Sequence, residues 1–128
     1  MILAIDTSTP TCKLFVVKDG TTNAYEWEAG RGLADGLIKY LRSSLHENGA
    51  GWSDISGLIA YKGPGSFTGL RIGLTVFNTI ADTNSVPIVG VSGDDWLRQG
   101  LRRLEQGKND ELVMPLYGRE PNITKPRK

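Results

Sequence analysis

Apolar residues recur along the first part of the chain with the spacings of β-strands. Residues 2–5 form a continuous apolar run, which is typical of a strand that is covered on both faces. A second run covers residues 14–17, Asp19-Gly20 is a two-residue hairpin signal, and residues 25–28 alternate between aromatic and acidic side chains. We therefore expect three strands joined as an antiparallel meander.

Helical spacing follows, and it alternates with two further buried runs. The first helix is predicted to begin at Leu33 and to stop before Gly49, because leucines recur there every four residues. A strand is expected at residues 58–61, a second helix from about residue 68 to 82, and another strand at residues 87–91. Strand, helix, strand, helix, strand implies parallel pairing with right-handed crossovers.

A third helix completes the predicted α/β fold. It is expected to begin near Ser92, which has Asp95 at the spacing of a capping box, and an apolar stripe follows from Trp96. The whole predicts a single ribonuclease H-like or actin-like ATPase lobe over residues 1–106, with a five-stranded mixed sheet and the element order βββαβαβα. Residues 107–128 contain three prolines and are expected to form an extended, partly mobile tail.

Composition adds the cellular context. The 128 residues carry 15 basic and 14 acidic side chains, so no overall field steers the protein onto nucleic acid or a membrane. Cys12 is the single cysteine and is predicted to be a small buried hydrophobe, which fits a reducing compartment. The N-terminus has neither a basic segment nor a long apolar run, so a cytoplasmic protein without membrane contact is expected.

A glycine-rich turn, GPGSFTGLRIG at residues 63–73, connects the fourth predicted strand to the second helix. Such a turn can direct several backbone N–H groups at an anion near the positive end of a helix, as in a phosphate cradle. It can equally let the chain reverse closely over a sheet edge. The candidate phosphate- or nucleotide-facing residues combine this turn with the end of the first strand: Asp6, Thr7, Ser8, Gly63, Gly65, Ser66, Thr68 and Arg71.

Asp6 also stands where a ribonuclease H-like nuclease would hold a catalytic metal. Such a site needs two or three further carboxylates, and the sequence offers only Asp35 and the pair Asp94 and Asp95, which a helix start explains equally well. We therefore predict no metal site. A structural role for Asp6, accepting N–H groups of its own turn, is an equal alternative.

The second helix carries more apolar residues than one face can hold. Leu70, Leu74 and Phe77 fall on one side, whereas Ile72 and Val76 fall on another, so docking on the sheet buries only part of the set. We expect a partner to cover the rest, unless the first and third helices do so. The predicted partner interface comprises Leu33, Leu37, Leu41, Gly69, Leu70, Ile72, Gly73, Val76, Phe77 and Ile80.

Two segments resemble the TsaB family, the bacterial tRNA threonylcarbamoyladenosine biosynthesis proteins. They are ILAIDTST at residues 2–9 and the eleven residues 63–73, and the likeness extends through residues 86–92 and into residues 115–119. Most of the chain is covered. The resemblance implies an actin-like ATPase fold without catalytic residues or cofactors of its own.

The resemblance also implies a function. Members of this family act as scaffolds for the paralogue TsaD, which carries the metal and the transferase chemistry, and they work with the ATPase TsaE on adenosine 37 of tRNA. ATP, bicarbonate and threonine are used by the wider pathway. The resemblance further implies pairing with TsaD as a heterodimer or with a second copy as a homodimer, and only indirect contact with tRNA. His46 is a single histidine and is expected to be solvated, whereas the paralogue's metal site uses two.

This chain differs from the family pattern in length, because family members usually have two lobes and nearly twice as many residues. The second lobe is expected to be missing between residues 107 and 115, which would leave half of a nucleotide cleft and makes independent ATP hydrolysis improbable. The alternative function is a stand-alone nucleotide-binding or ribonuclease H-like enzyme lobe that uses Asp6 and Thr7. A weaker alternative is direct tRNA contact by the basic residues of the tail: Arg119, Lys125, Arg127 and Lys128.

Overall fold

The computed structural model describes residues 1–116 and confirms the predicted order of elements. The eight regular elements are β1 (Ile2–Asp6), β2 (Thr11–Lys18), β3 (Thr21–Glu28), α1 (Leu33–Glu47), β4 (Gly57–Tyr61), α2 (Phe67–Asn84), β5 (Ile88–Val91) and α3 (Trp96–Glu105). Short 3-10 turns precede α1 at Gly30–Gly32 and β4 at Trp52–Asp54. The basic tail residues Arg119, Lys125, Arg127 and Lys128 lie outside the described residues.

The sheet is mixed, with the strand order β3-β2-β1-β4-β5. β1 pairs antiparallel with β2 and parallel with β4, and β4 pairs parallel with β5. Asp19 and Gly20 join β2 to β3, and both have positive φ, 52° and 77°, as the tight hairpin turn requires. The predicted meander and the two parallel crossovers are thereby confirmed.

The helices cover the two faces of the sheet unequally. α1 and α2 pack side by side on one face, where the leucines of α1 meet the inward residues of β1 and β2. α3 packs alone on the other face over β4 and β5, and the Trp96 ring makes edge contacts with Phe15 and Tyr61 at centroid distances of 5.6 and 5.7 Å. None of these helices is long and apolar enough to cross a membrane, in the part of the chain that is described.

The start of α3 differs from the predicted capping box. α3 begins at Trp96, and Asp95 at its N-cap position makes no side-chain bond to the helix backbone. Gly93 has a φ of +93°, which is not helical, so the helix cannot run through Gly93 from Ser92. The Asp95 carboxylate instead accepts a hydrogen bond of 2.8 Å from the side chain of Gln99.

The segment after α3 does not leave the lobe as a free tail over residues 107–116. Val113 is buried against the core, and the Leu116 N–H donates to the Lys62 carbonyl at 2.6 Å. Asp110 forms an ion pair of 2.7 Å with Arg103 of α3. Over residues 107–116 the segment is irregular, and it contacts β5, α2, α3 and Lys62, which follows β4.

Candidate functional site

The glycine-rich turn and the end of β1 form one hydrogen-bonded unit. Ser66 caps α2 by accepting a 3.3 Å hydrogen bond from the Gly69 N–H, and its own N–H donates to the Ser8 carbonyl at 2.8 Å. The Thr7 hydroxyl donates to the Gly69 carbonyl at 2.7 Å, and the Ser8 N–H donates to an oxygen of Asp6 at 2.8 Å. The structural role considered for Asp6, ordering its own turn, is confirmed.

Glycines in α2 and its turn are needed because β1 approaches so closely. A Cβ atom at Gly65 would overlap Ser8, one at Gly69 would overlap the Thr7 carbonyl, and one at Gly73 would overlap the Thr7 side chain. Residues with a side chain therefore cannot replace these glycines unless β1 or α2 moves. Close packing of the chain, the alternative to a phosphate cradle, therefore accounts for Gly65, Gly69 and Gly73.

The predicted phosphate-facing set is only partly on the surface. Thr7 is 2% exposed with its hydroxyl bonded to the Gly69 carbonyl, and Gly63 is buried against the Leu116 carbonyl, so neither lies at the surface of this structure. Thr7 is buried because the chain after β1 packs against the start of α2, and Gly63 is buried because Leu116 lies over it. Four residues of the set are exposed: Gly65, Ser66, Thr68 and Arg71.

The predicted partner interface divides in the same way. Seven of its residues are buried inside the lobe and cannot touch a partner in this structure: Leu33, Leu37, Leu41, Leu70, Gly73, Phe77 and Ile80. Five of them, Leu33, Leu37, Leu41, Phe77 and Ile80, belong to the core cluster that α1 and α2 form with the sheet, and Gly73 is buried against Thr7. Gly69, Ile72 and Val76 remain half-buried at the surface. α1 therefore covers part of α2, whereas α3 lies on the opposite face and does not.

An apolar surface does run along α1 and α2, and it includes two residues that were not predicted. Phe67 is 55% exposed at the first turn of α2, and Ile38 is 43% exposed on α1, one turn beyond Ala34. With Ile72 and Val76, these residues form what we call the helix surface. The sequence contains a signal for the exposure of Ile38, because Ile38 does not share the four-residue spacing of the buried leucines of α1.

A groove of about 370 Å³ marks the centre of the helix surface. Its lining comprises Ala34, Phe67, Thr68, Arg71, Ile72, Thr75 and Val76. The Arg71 guanidinium carbon lies 5.3 Å from the centroid of the Phe67 ring, in cation–π range. A second groove of about 400 Å³ on the other side of Ile72 extends to Pro10 and Arg31. Both grooves are therefore lined by apolar and hydroxyl side chains together with one arginine, Arg71 in the first and Arg31 in the second.

Two acidic residues lie at the carboxyl ends of parallel strands: Asp6 ends β1, and Asp94 follows β5 by three residues. Burial first, and the charges of Asp6 and Asp94 second, raise the pKa of Tyr61 at the end of β4. Within residues 1–116, no group of three or more His, Cys, Asp or Glu side chains is close enough to hold a metal ion. His46 is exposed in the last turn of α1.

The single thiol belongs to the core. Cys12 is buried on β2, and its predicted role as a small buried hydrophobe is confirmed. Burial, with a smaller contribution from the charge of Asp6, raises the pKa of the Cys12 thiol to about 12. The thiol is therefore neutral at physiological pH and unsuited to nucleophilic chemistry.

Comparison with known proteins gives consistent matches. The family model described as TsaD, tRNA N6-adenosine threonylcarbamoyltransferase, matches residues 27–121. The TsaB protein of Escherichia coli is 36% identical over 102 residues, which are 80% of this chain and 44% of that protein. The TsaB protein of Bacillus subtilis is 32% identical over 117 residues, 91% of this chain and 49% of that protein.

A solved structure agrees with these matches. YeaZ from Pseudomonas aeruginosa superposes with a TM-score of 0.69 at 32% identity, over 83% of this chain and 49% of that one. The chain therefore spans about half the length of the relatives it matches. Over the matched residues the fold is shared, and about a third of the residues are identical.

Proposed function

Because the chain belongs to the TsaB and TsaD family of tRNA threonylcarbamoyladenosine biosynthesis proteins, we propose that it is a non-catalytic partner subunit in this modification. It binds TsaD through the helix surface and supports TsaD in a heterodimer. TsaE joins the larger complex, and tRNA contacts this subunit indirectly. The work takes place in the cytoplasm, and the subunit brings no metal or nucleotide of its own.

The helix surface is the observation that carries this proposal. Phe67 and Ile38 are both about half exposed, and Phe67, Ile72 and Val76 line the groove. Burying a large apolar side chain completely is worth roughly 2 kcal/mol relative to leaving it in water. A partner that covered the exposed part of these side chains would gain a corresponding fraction of that energy, which favours docking of an amphipathic helix along α1 and α2.

A second copy of the chain could cover the same surface in the absence of TsaD. Two copies would meet through the same residues, because a two-fold interface is built from one patch used twice. We propose that the homodimer and the complex with TsaD are alternatives, so that TsaD displaces the second copy. Mass measurement in solution with and without TsaD tests this exchange.

Substitution of Val76 by aspartate is the direct test of the proposal. Val76→Asp places a charge in the groove and should abolish co-purification with TsaD, while the circular dichroism spectrum stays that of the folded chain. Ser43→Asp is the matched control, since Ser43 is exposed on α1 and does not line the groove. The proposal is wrong if folded Val76→Asp binds TsaD as tightly as Ser43→Asp does.

Calorimetry with ATP and magnesium separates this proposal from the nucleotide-binding alternative. The side chain of Thr7 and the backbone of Ser8 are engaged by α2 and its turn, which leaves little of the expected cradle for a phosphate. We expect no saturable heat with the isolated chain. Saturable binding in the micromolar range would favour the nucleotide-binding lobe instead.

A further inference from the structure

The two edges of the sheet are treated differently. β3 forms one edge and carries the exposed charges of Glu26 and Glu28, which discourage another strand from pairing with it. β5 forms the other edge with the sequence IVGV, and all four residues are buried. A bare edge of this kind, apolar and without charge, would be a template for pairing with another chain.

The outward hydrogen-bonding groups of β5 are all occupied. Val91 and Pro87 direct their carbonyl groups at β4, so the backbone groups of Ile88 and Gly90 point away from the sheet. The Ile88 N–H donates to Asn109 Oδ1 at 3.1 Å, and the Ile88 carbonyl accepts from the Asp110 N–H at 2.8 Å.

Asp110 and Arg103 occupy the remaining two groups. The Gly90 N–H donates to Asp110 Oδ2 at 2.8 Å, and the Gly90 carbonyl accepts from Arg103 Nη1 at 3.1 Å. Arg103 also holds Asp110 with two hydrogen bonds, of 2.9 and 2.7 Å. Three of the four contacts to β5 therefore come from side chains, which act where a neighbouring strand would otherwise lie.

We propose that Arg103, Asn109 and Asp110, together called the edge cover, keep β5 from pairing with the β5 edge of a second copy of this chain. Two β5 strands related by a two-fold axis would run antiparallel, and the N–H and carbonyl groups of Ile88 and Gly90 in each would face those of the other. No charge on either strand opposes this pairing. This surface is separate from the helix surface, which lies on α1 and α2.

Removing the Asp110 carboxylate opens the edge in a way that hydrogen exchange can detect. In Asp110→Ala at low protein concentration, the exchange rate of the Gly90 amide should rise at least tenfold, because its acceptor is gone. At high concentration the variant should form a dimer by light scattering, and exchange of the same amide should slow again. Pairing through the helix surface would leave Gly90 exchange unchanged.

Controls and further variants keep the test decisive. Glu105→Ala removes a carboxylate from the same end of α3 and should leave both mass and Gly90 exchange at their wild-type values. If Asp110→Ala does not fold, Asp110→Leu keeps a side chain of similar size, removes both carboxylate oxygens and should give the same changes. The proposal is overturned if a folded variant shows wild-type exchange at Gly90. It is also overturned if Gly90 exchanges fast in a variant and does not slow as the protein concentration rises. The same holds if Gly90 exchange slows only when an extended peptide is added, because the partner would then not be a second copy.

Discussion

The side-chain amide of Asn78 forms two hydrogen bonds with the backbone of Val113, 35 residues further along the chain. Asn78 Nδ2 donates to the Val113 carbonyl at 3.0 Å, and the Val113 N–H donates to Asn78 Oδ1 at 2.9 Å. This pair joins α2 to the segment that follows α3, and it lets Val113 pack over Gly90. The Asn78 amide thus satisfies both backbone groups of Val113, as a neighbouring strand would do in a sheet.

Replacing Asn78 by alanine should loosen this segment. We expect Asn78→Ala to lower the free energy of unfolding by about 1–3 kcal/mol, because two backbone groups of the buried Val113 lose their partner. Urea denaturation measures the loss. Thr79→Ala is the control, since Thr79 is exposed and bonds only to the Thr75 carbonyl of its own helix. Equal losses in both variants would contradict the anchoring role of Asn78.

A methyl group at Gly73 should be destabilising because Thr7 occupies its place. We expect Gly73→Ala to cost about 1–3 kcal/mol of unfolding free energy, as overpacked interiors do. Adding Thr7→Ala should recover part of that loss, which a double-mutant cycle measures as a coupling energy. Gly32→Ala provides the comparison, because a Cβ atom at Gly32 meets nothing within 4 Å. Without coupling between Gly73 and Thr7, the close-approach explanation fails.

Phe67 and Phe77 lie on the same helix and should respond in opposite ways. Phe77 is fully buried, so Phe77→Ala should cost about 3–5 kcal/mol of stability. Phe67→Ala should change stability by less than about 1 kcal/mol and weaken TsaD binding at least tenfold, as expected for an aromatic residue in an interface. Thermal unfolding and a binding titration measure the two effects. Unchanged affinity for Phe67→Ala would remove Phe67 from the interface.

Stability should fall in acid partly through Asp110. Hydrogen bonding with Arg103 is the largest cause that holds the pKa of Asp110 below its usual value of 3.8. A carboxylate with a lowered folded-state pKa stabilises the fold above its unfolded pKa and loses that contribution as pH falls through the folded value. Below about pH 4, the wild type should therefore lose stability more steeply than Asp110→Asn.

The measurement for this acid dependence is denaturant unfolding at a series of pH values between neutral and strongly acidic. Glu105→Gln removes a carboxylate from the exposed surface of α3 and serves as the reference. Its slope should stay close to that of the wild type. Parallel slopes for wild type and Asp110→Asn would show that the ion pair with Arg103 contributes nothing to the pH dependence.

The fold could be predicted from the sequence because it depends on local periodicity. The leucines of α1, the apolar run of β1 and the Asp19-Gly20 turn each specify an element from neighbouring residues alone. The first residue of α3 is predicted less accurately, because Gly93 interrupts the apparent capping box and the helix begins at Trp96 and not near Ser92. Local pattern therefore determined the order of the elements better than their first residues.

The candidate site was harder to predict because it depends on distant contacts. Thr7 and Gly69 are 62 residues apart in sequence, and only their contact shows that the glycines allow close packing. Helical spacing separates one face of α2 from another, but it does not reveal which face α1 covers. For this reason Leu70 and Phe77 were assigned to an interface, whereas Phe67, at the start of the helix, was overlooked.

The reactivity of the Cys12 thiol can report how often the folded lobe opens. Cys12 is the single cysteine and is 1% exposed on the side of β2 that α1 covers. A thiol reagent can reach it only after α1 separates from the sheet or the whole lobe unfolds, so the labelling rate follows the population of open molecules. Variants on either face can thus be ranked by reaction rate, without attaching a dye.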